Sequence, residues 1–242
     1  KEKVVPSFEV LLVLGVFGFY FYDSFMLLNI NELIFTRSSK NWSYKFPILS
    51  FQLLKKFPFL PNLLTPHIAL FQVLWPTNDN HLDSKALDVF IKSLIPIQIT
   101  VIILLLLILI YLPIVAFIYG SGAELLIIFS TIYIVIASIL IYIFTQKNNL
   151  HLTNIKFISI AFESIVCPPF ALNMVRKISL NYSINIDPYL FSNEMFDKNT
   201  KLLFTNNLCN VIEYNMKFFE EESRRYIELD EYLCLIKSEK EN

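Results

Sequence analysis

The chain has 242 residues, of which 55% are hydrophobic and 15% aromatic, whereas only 17% are charged. This composition is too apolar for an ordinary soluble domain, so part of the apolar surface is expected to face lipid. The formal net charge of -1 gives no field that would attract nucleic acid, and we expect no nucleic-acid partner.

An apolar segment opens the chain within residues 1–30 and predicts a retained transmembrane helix. A secretory signal peptide is the competing interpretation, but no small-residue cleavage site follows the apolar run. Gly15 and Gly18 share one face, which would let a second helix approach closely. Asp23 is either a functional group at membrane depth or a carboxylate that reaches the lipid headgroups.

Residues 31–90 are too apolar for a linker and too rich in proline for a helix, and they predict a small strand-rich segment in the cytoplasm. Trp42, Tyr44 and Phe46 alternate with polar residues in the period of two that a β-strand requires. Residues 33–37 are expected to be the partner strand of a hairpin. The further strands predicted from turn signals are residues 50–54 and 68–75.

Two long apolar runs within residues 91–146 predict a transmembrane helical hairpin. Each run reaches the about 20 residues that a helix needs to cross the hydrocarbon. Gly120 and Gly122 supply the turn between them. Pro96 and Pro113 each remove a backbone donor from the first helix, which is expected to bend at one or both positions.

Glu124 is the single charged residue between Lys92 and Lys147. A carboxylate at the start of the second helix of the hairpin is stabilised by the helix dipole, which is the simpler interpretation. The alternative is a gating or proton-relay group in the membrane.

Residues 147–242 predict an amphipathic helical domain. In residues 155–166 the apolar positions Ile155, Ile158 and Phe162 fall on one side of a helix, and the prolines after Cys167 end it. A second helix is predicted at residues 170–180, and its solvated face carries Asn173, Arg176 and Lys177. Both helices are expected to lie in the plane of the membrane interface, with a fourth crossing as the alternative.

The last predicted helix runs over residues 205–236. Its apolar face must pack on the rest of the protein or on a partner. Glutamate and basic residues at a spacing of four mark the opposite face as solvated. The predicted ion pairs on that face are Glu213–Lys217, Glu220–Arg224 and Glu221–Arg225.

Basic residues near the membrane ends predict the orientation of the chain. The turn between the two hairpin helices contains no Lys or Arg, whereas the segments on the other side of the membrane contain several. We therefore expect a multi-pass protein of the bacterial inner membrane, with the turn outside and the C-terminus in the cytoplasm. The basic residues used are Arg37, Lys40, Lys45, Lys85, Lys92, Lys147 and Lys156.

Motifs that carry known chemistry are missing from the sequence. Four glycines in total leave no phosphate-binding loop, so we expect no nucleotide, and no cofactor motif is present. Cys167, Cys209 and Cys234 form no Cys-x-x-Cys pair and are expected to be free thiols in a reducing compartment.

The remaining polar constellation consists of two histidines and two aspartates. His81 and Asp83 would point the same way on an extended backbone, an arrangement suited to two metal ligands. The competing interpretation is that these residues are turn and cap residues before the membrane hairpin. The metal candidates are His67, Asp79, His81 and Asp83.

Three classes of function are compatible with these features. We favour a non-catalytic membrane component that binds a protein partner or a second copy of itself through its cytoplasmic segments, with the lipid bilayer as its other partner. This class includes assembly and immunity-type proteins. An oligomeric transporter or channel subunit is the first alternative, motivated by Asp23 and Glu124, and a membrane-interface enzyme that acts on lipids is the second.

Overall fold

The computed structural model describes residues 7–38, 41–47, 56–76, 83–119, 122–184 and 186–241. The strand predicted at residues 50–54 and the metal candidates Asp79 and His81 lie outside the described residues. The chain is mostly helical and contains a small group of strands.

The chain divides into two compact units, each built from segments that are far apart in sequence. The helical unit comprises Lys1–Met26, Leu60–Ala69 and Ser84–Tyr182, and the mixed unit comprises Leu27–Phe59, Leu70–Asp83 and Ser183–Asn242. Most of the strand-rich segment, namely residues 31–59 and 70–83, thus belongs to the same unit as the last helices, whereas residues just after the hairpin pack with the hairpin.

The helical unit is built around two long apolar helices. Its first helix, α1, is Phe8–Ser24. The next runs from Ser84 to Tyr119 as α2 (Ser84–Leu105), a π-helical turn (Leu106–Tyr111) and α3 (Leu112–Tyr119), and α4 is Ala123–Thr145. Two helices, Ser84–Tyr119 and Ala123–Thr145, are long and apolar enough to cross a membrane.

The two long helices bury one stripe each and leave the rest of their apolar surface exposed. On α4, Ile128, Ile132 and Ile136 recur at a spacing of four and are buried, as the period of a helix requires. Ile134 and Ile141 on the outer side are each 66% exposed. A hydroxyl of α4 also reaches α2, because Tyr142 Oη donates a hydrogen bond to Ser93 O at 3.2 Å.

The two prolines of the first hairpin helix have different local structures. Pro96 lies inside α2, where the helix continues past it. Pro113 follows the π-helical turn, in which the N–H of Leu112 bonds to Leu107 O, five residues back. A wider turn next to a proline is a known way to relieve its clash with the preceding turn. The structure thus has a π-helical turn next to Pro113, one of the two positions at which the sequence predicts a bend, and the bend itself stays a prediction.

Residues 154–180 form a helix, a tight reversal and a return. The first part, α5, is Asn154–Val166, and Thr153 caps it by accepting a hydrogen bond from Lys156 N. A 3₁₀ segment, Pro168–Asn173, leads into α6, Met174–Leu180. The predicted solvated face of this second helix is wrong, because Asn173 is 1% and Arg176 3% exposed. Hydrogen-bond partners from other segments cover both side chains.

The strands of the mixed unit form two small sheets among the described residues. One sheet pairs β1 (Met26–Leu28) with β4 (Phe57–Phe59), and the other has the order β3-β2-β5. The predicted hairpin is confirmed, since β2 and β3 are antiparallel with Phe35 opposite Tyr44 and Arg37 opposite Trp42. The bounds of the second sheet are Glu32–Ser38 for β2, Asn41–Lys45 for β3 and Ala69–Leu74 for β5.

Aromatic side chains form the core between the sheet and the last helices of the mixed unit. These helices are α7 (Pro188–Met195), α8 (Lys198–Met216) and α9 (Arg224–Glu241). Phe35 of β2 stacks on Phe191 of α7 with ring centroids 4.4 Å apart. Trp42 meets Phe191 edge-on at 5.0 Å, and the preferred geometries of such pairs stabilise the unit beyond area burial.

The single long helix predicted over residues 205–236 is wrong, because the chain forms α8 and α9 with a break between them. The break contains three consecutive glutamates, Glu220 to Glu222, whose like charges disfavour a helix. Ser223 then caps α9 by accepting a hydrogen bond from Tyr226 N at 3.2 Å. The ion pairs change accordingly: Glu213 pairs with Lys237, while Arg224 and Arg225 pair with Glu228.

Candidate functional site

A cluster of polar side chains lies inside the helical unit at the end of α1. We call it the polar cluster. It joins the last turn of α1 to α5, to the reversal after α5, and to a turn within residues 62–67. Its members are Tyr20, Asp23, Ser24, Glu163, Asn173, Arg176 and Lys177.

Lys177 is the central charge of the polar cluster. Its Nζ lies 2.8 Å from Asp23 Oδ1 and 2.6 Å from Glu163 Oε2, so one ammonium group serves two carboxylates from two helices. The same Nζ lies 5.0 Å from the ring centroid of Phe170, a cation–π contact. The side chains of Lys177 and Asp23 are only 21% and 13% exposed. Coulombic attraction is stronger in such a site than in water.

Asn173 connects the cluster to the backbone of α1. Its Nδ2 donates to Asp23 Oδ2 at 2.9 Å and lies 3.0 Å from Ser24 Oγ. Ser24 in turn donates to Tyr20 O at 2.8 Å. A buried amide has to find such partners, because leaving it unsatisfied would cost about 1–3 kcal/mol. The end of α1 is thereby held by a polar network rather than by apolar packing alone.

Arg176 carries the buried positive charge on the other side of the cluster. Its Nη1 donates to Asn173 Oδ1 at 2.9 Å, and its Nη2 donates to Asn62 O and, at 3.2 Å, to Thr65 O. Asn62 shapes this turn by accepting a hydrogen bond from Leu64 N at 3.0 Å, as in an Asx-turn. The guanidinium thus binds carbonyl dipoles and orients the turn.

His67 lies next to Arg176 and is half-buried. Burial lowers the pKa of His67 below its ordinary value of 6.5, and the positive charge of Arg176 lowers this pKa further. Its buried Nδ1 has no hydrogen-bond partner among the described residues. A neighbouring guanidinium repels a metal cation as well as a proton.

The described residues give the metal interpretation no support. No three His, Cys, Asp or Glu side chains come together as potential ligands in the described part of the chain. His67 lies in the helical unit, and Asp83 precedes α2 at the end of a segment of the mixed unit. Asp79 and His81, which the sequence placed with them, fall in residues 77–82 that the structure does not describe.

The other predicted site residues occupy separate places. Asp23 belongs to the polar cluster, where it is ion-paired. Glu124 lies in the first turn of α4, where its charge complements the helix dipole. A Cβ built on Gly15 or on Gly18 would meet no atom within 4 Å, so this face of α1 is open and close helix packing there stays a prediction.

Sequence reasoning found Asp23 but missed its partners. The cations Arg176 and Lys177 had been interpreted as part of a solvated helix face. The available signal was two cations and an asparagine close to Pro168 and Pro169 in an otherwise apolar region. Only the fold shows that these side chains point toward α1.

The geometry of the cluster favours a structural role over a reaction. Its two carboxylates share the ammonium of Lys177, and the guanidinium of Arg176 binds carbonyl oxygens. The buried Nε of Arg176 has no hydrogen-bond partner among the described residues. Paired charges of this kind position helices, whereas a general acid or base needs a proton-transfer partner on a substrate.

Fold and cluster together define a helical protein with two helices able to cross a membrane and a separate unit of strands and helices. No family model matches the chain, and no curated protein or solved structure is significantly similar to it.

Proposed function

We propose that this chain is a non-catalytic integral protein of the bacterial inner membrane, anchored by three spanning helices and acting as an interaction or assembly component. The spans are α1, the helix from Ser84 to Tyr119, and α4. The mixed unit, with its C-terminal helices in the cytoplasm, binds a protein partner or a second copy of the chain. The proposal includes immunity-type proteins, which work by such binding.

The outward surface of the helical unit supports membrane insertion. Large apolar side chains are exposed along α1 and along both long helices, including Leu14, Ile118, Leu126 and Ile141. Soluble monomers rarely expose contiguous apolar surface of this extent. At 17 residues α1 is about 26 Å long, close to the thickness of the hydrocarbon, and it therefore supports a third span.

The observation that carries the interaction role is an aromatic groove at the connection between α8 and α9. The groove has a volume of about 350 Å³ and combines apolar residues, among them Phe219 and Leu233, with the charged Glu213, Lys217 and Glu221. Phe218 beside it is 56% exposed. Protein–protein interfaces combine aromatic residues with a polar rim, and the groove contains both kinds of residue.

The test is association of the full chain in mild detergent. The change Phe218→Ser with Phe219→Ser removes the exposed aromatics and should abolish a stoichiometric partner or a dimer, measured by co-purification and by light scattering. The matched control is Leu202→Ser with Leu203→Ser, two apolar residues at the start of α8 that are 52% and 60% exposed, and it should leave association unchanged. Association that survives the aromatic change contradicts the proposal.

A transporter or channel subunit is the second candidate. It is favoured by the ionisable side chains of Asp23, Glu163 and Lys177, which meet inside the helical unit. Ion flux into liposomes that is lost in Asp23→Asn would favour this candidate over the interaction role.

A further inference from the structure

Residues 151–182 leave one end of the helical hairpin and return to the same end. His151 and Tyr182 face each other with ring centroids 5.2 Å apart. Tyr182 also packs on Phe90 of α2, at 4.3 Å. The segment from His151 to Tyr182 therefore begins and ends near Phe90, close to the start of α2.

Between those points, α5 runs antiparallel to α4. Phe157 near the start of α5 contacts Phe144 at the end of α4, with ring centroids 5.5 Å apart. Near the other end, Tyr133 Oη donates a hydrogen bond to Ile165 O at 3.2 Å. The two contacts are separated by eleven residues on α4 and eight on α5, so the helices lie side by side.

The reversal after α5 lies beside the middle of the two long helices. Cys167, Pro168 and Pro169 line a cleft of about 480 Å³ together with Ile108 of the π-helical turn and Ile132 of α4. Helix α5 has 13 residues and is about 20 Å long, whereas the hydrocarbon is about 30 Å thick. Helix α5 is therefore too short to cross the hydrocarbon, but it is long enough to reach the centre of the bilayer.

The backbone at the reversal suits a position away from water. Pro168 and Pro169 have no N–H groups, so the turn contains two fewer donors that would need partners. The neighbouring donors are used, since Cys167 N bonds to Glu163 O at 2.9 Å and Phe170 N to Cys167 O at 2.8 Å.

The outward face of α5 is mostly apolar, and of its two charged residues only Lys156, in the first turn, is exposed to the outside. Ile155 is 80% exposed, and Ile158, Phe162, Ile165 and Val166 are also exposed. Glu163 instead pairs with Lys177 of the returning α6. The exposed face of α5 continues the exposed apolar surface of α4 beside it.

We propose that residues 154–180 form a re-entrant helical hairpin, which enters the bilayer beside α4, turns near its centre at Pro168–Pro169 and leaves on the side of entry. The exposed face of α5 contacts the acyl chains of the bilayer. This inference rests on the proposed membrane insertion of the long helices. It replaces the in-plane position and the fourth crossing expected from the sequence.

The test measures depth along α5 in vesicles of phosphatidylcholine and phosphatidylglycerol. In a full-length chain whose three cysteines are changed to serine, a spin label is attached to Ile155→Cys, Ile158→Cys or Ile165→Cys, and its collisions with oxygen and with a water-soluble nickel chelate are compared. The label at position 165 should lie deepest, about 15 Å below the label at 155, because ten residues of helix separate them. All three positions are exposed, so the labels disturb little packing.

The matched controls are Ile134→Cys and Ile141→Cys on α4, each 66% exposed, which lies within the range of the three α5 positions. Water-accessible labels on α4 would overturn membrane insertion itself. Lipid-exposed labels on α4 with water-exposed labels on α5, or with equal shallow depths along α5, would overturn the re-entrant hairpin alone. A depth that passes the centre by position 165 would overturn it in favour of a fourth crossing.

Discussion

Lys177 is the residue on which the polar cluster depends most, because two carboxylates from different helices use its one charge. The change Lys177→Met keeps most of the side-chain volume and leaves Asp23 and Glu163 facing each other without a cation. We expect a loss of about 3 kcal/mol, since removing one partner of a buried ion pair costs about 3–5 kcal/mol. Thermal unfolding in detergent measures the effect.

The matched control for this prediction is Lys92→Met. Lys92 pairs with Asp88 at 2.7 Å, but its side chain is 70% exposed. An exposed pair contributes about 0–1 kcal/mol, so this variant should unfold close to the wild-type temperature. Equal losses in the two variants would show that the cluster is no more important than a surface ion pair.

Single residues also show where sequence reasoning stops. Asp23 was identifiable from the sequence as a carboxylate that is energetically unfavourable in an apolar helix, and the structure places it in the polar cluster. Arg176 and Asn173 were assigned to solvent because polar residues at helical spacing are usually solvated. Their burial depends on carbonyl and carboxylate partners that are far away in sequence, at Asn62, Thr65 and Asp23.

At the scale of elements, the sheet of the mixed unit depends on aromatic packing against α7. The change Phe191→Ala removes the ring that stacks on Phe35 and meets Trp42 edge-on. A buried Phe→Ala change costs about 3–5 kcal/mol, so we expect the mixed unit to become sensitive to protease at much lower temperature. Limited proteolysis, with the change in tryptophan fluorescence, measures this loss.

The control for the aromatic core is Phe218→Ala, which removes a ring that is more than half exposed. Its protease sensitivity should stay near that of the wild type, because little burial is lost. If the Phe191→Ala variant were as resistant to protease as the Phe218→Ala control, the stacked rings would not be what holds β2 against α7.

Elements with strong local patterns were predictable, and their interruptions were only partly so. The alternation at Trp42 and Tyr44 identified β3 and its partner strand, since period-two patterning is a local property. The break between α8 and α9 was missed because the apolar spacing continues across it. The π-helical turn before Pro113 was not predicted, since the sequence indicated only a bend at Pro96, Pro113 or both; how a helix accommodates proline depends on its neighbours.

At the scale of the whole molecule, the proposed three spans predict the side on which each end lies. A reporter that is active only in the cytoplasm should work when fused at the C-terminus and fail when inserted at Ser121, in the turn of the hairpin. The physical basis is the absence of Lys and Arg from that turn and their concentration on the opposite side. The reverse pattern would overturn the orientation.

The sequence by itself determined the apolar character of the chain, the two long helices and the β-hairpin, because hydropathy and periodicity act over neighbouring residues. Only the tertiary structure decided that α5 lies along α4 and returns with α6, and that Asp23, Glu163 and Lys177 form one network. These arrangements join residues up to 154 positions apart, from Asp23 to Lys177. Such pairings depend on which surfaces pack together, and local patterns do not contain that information.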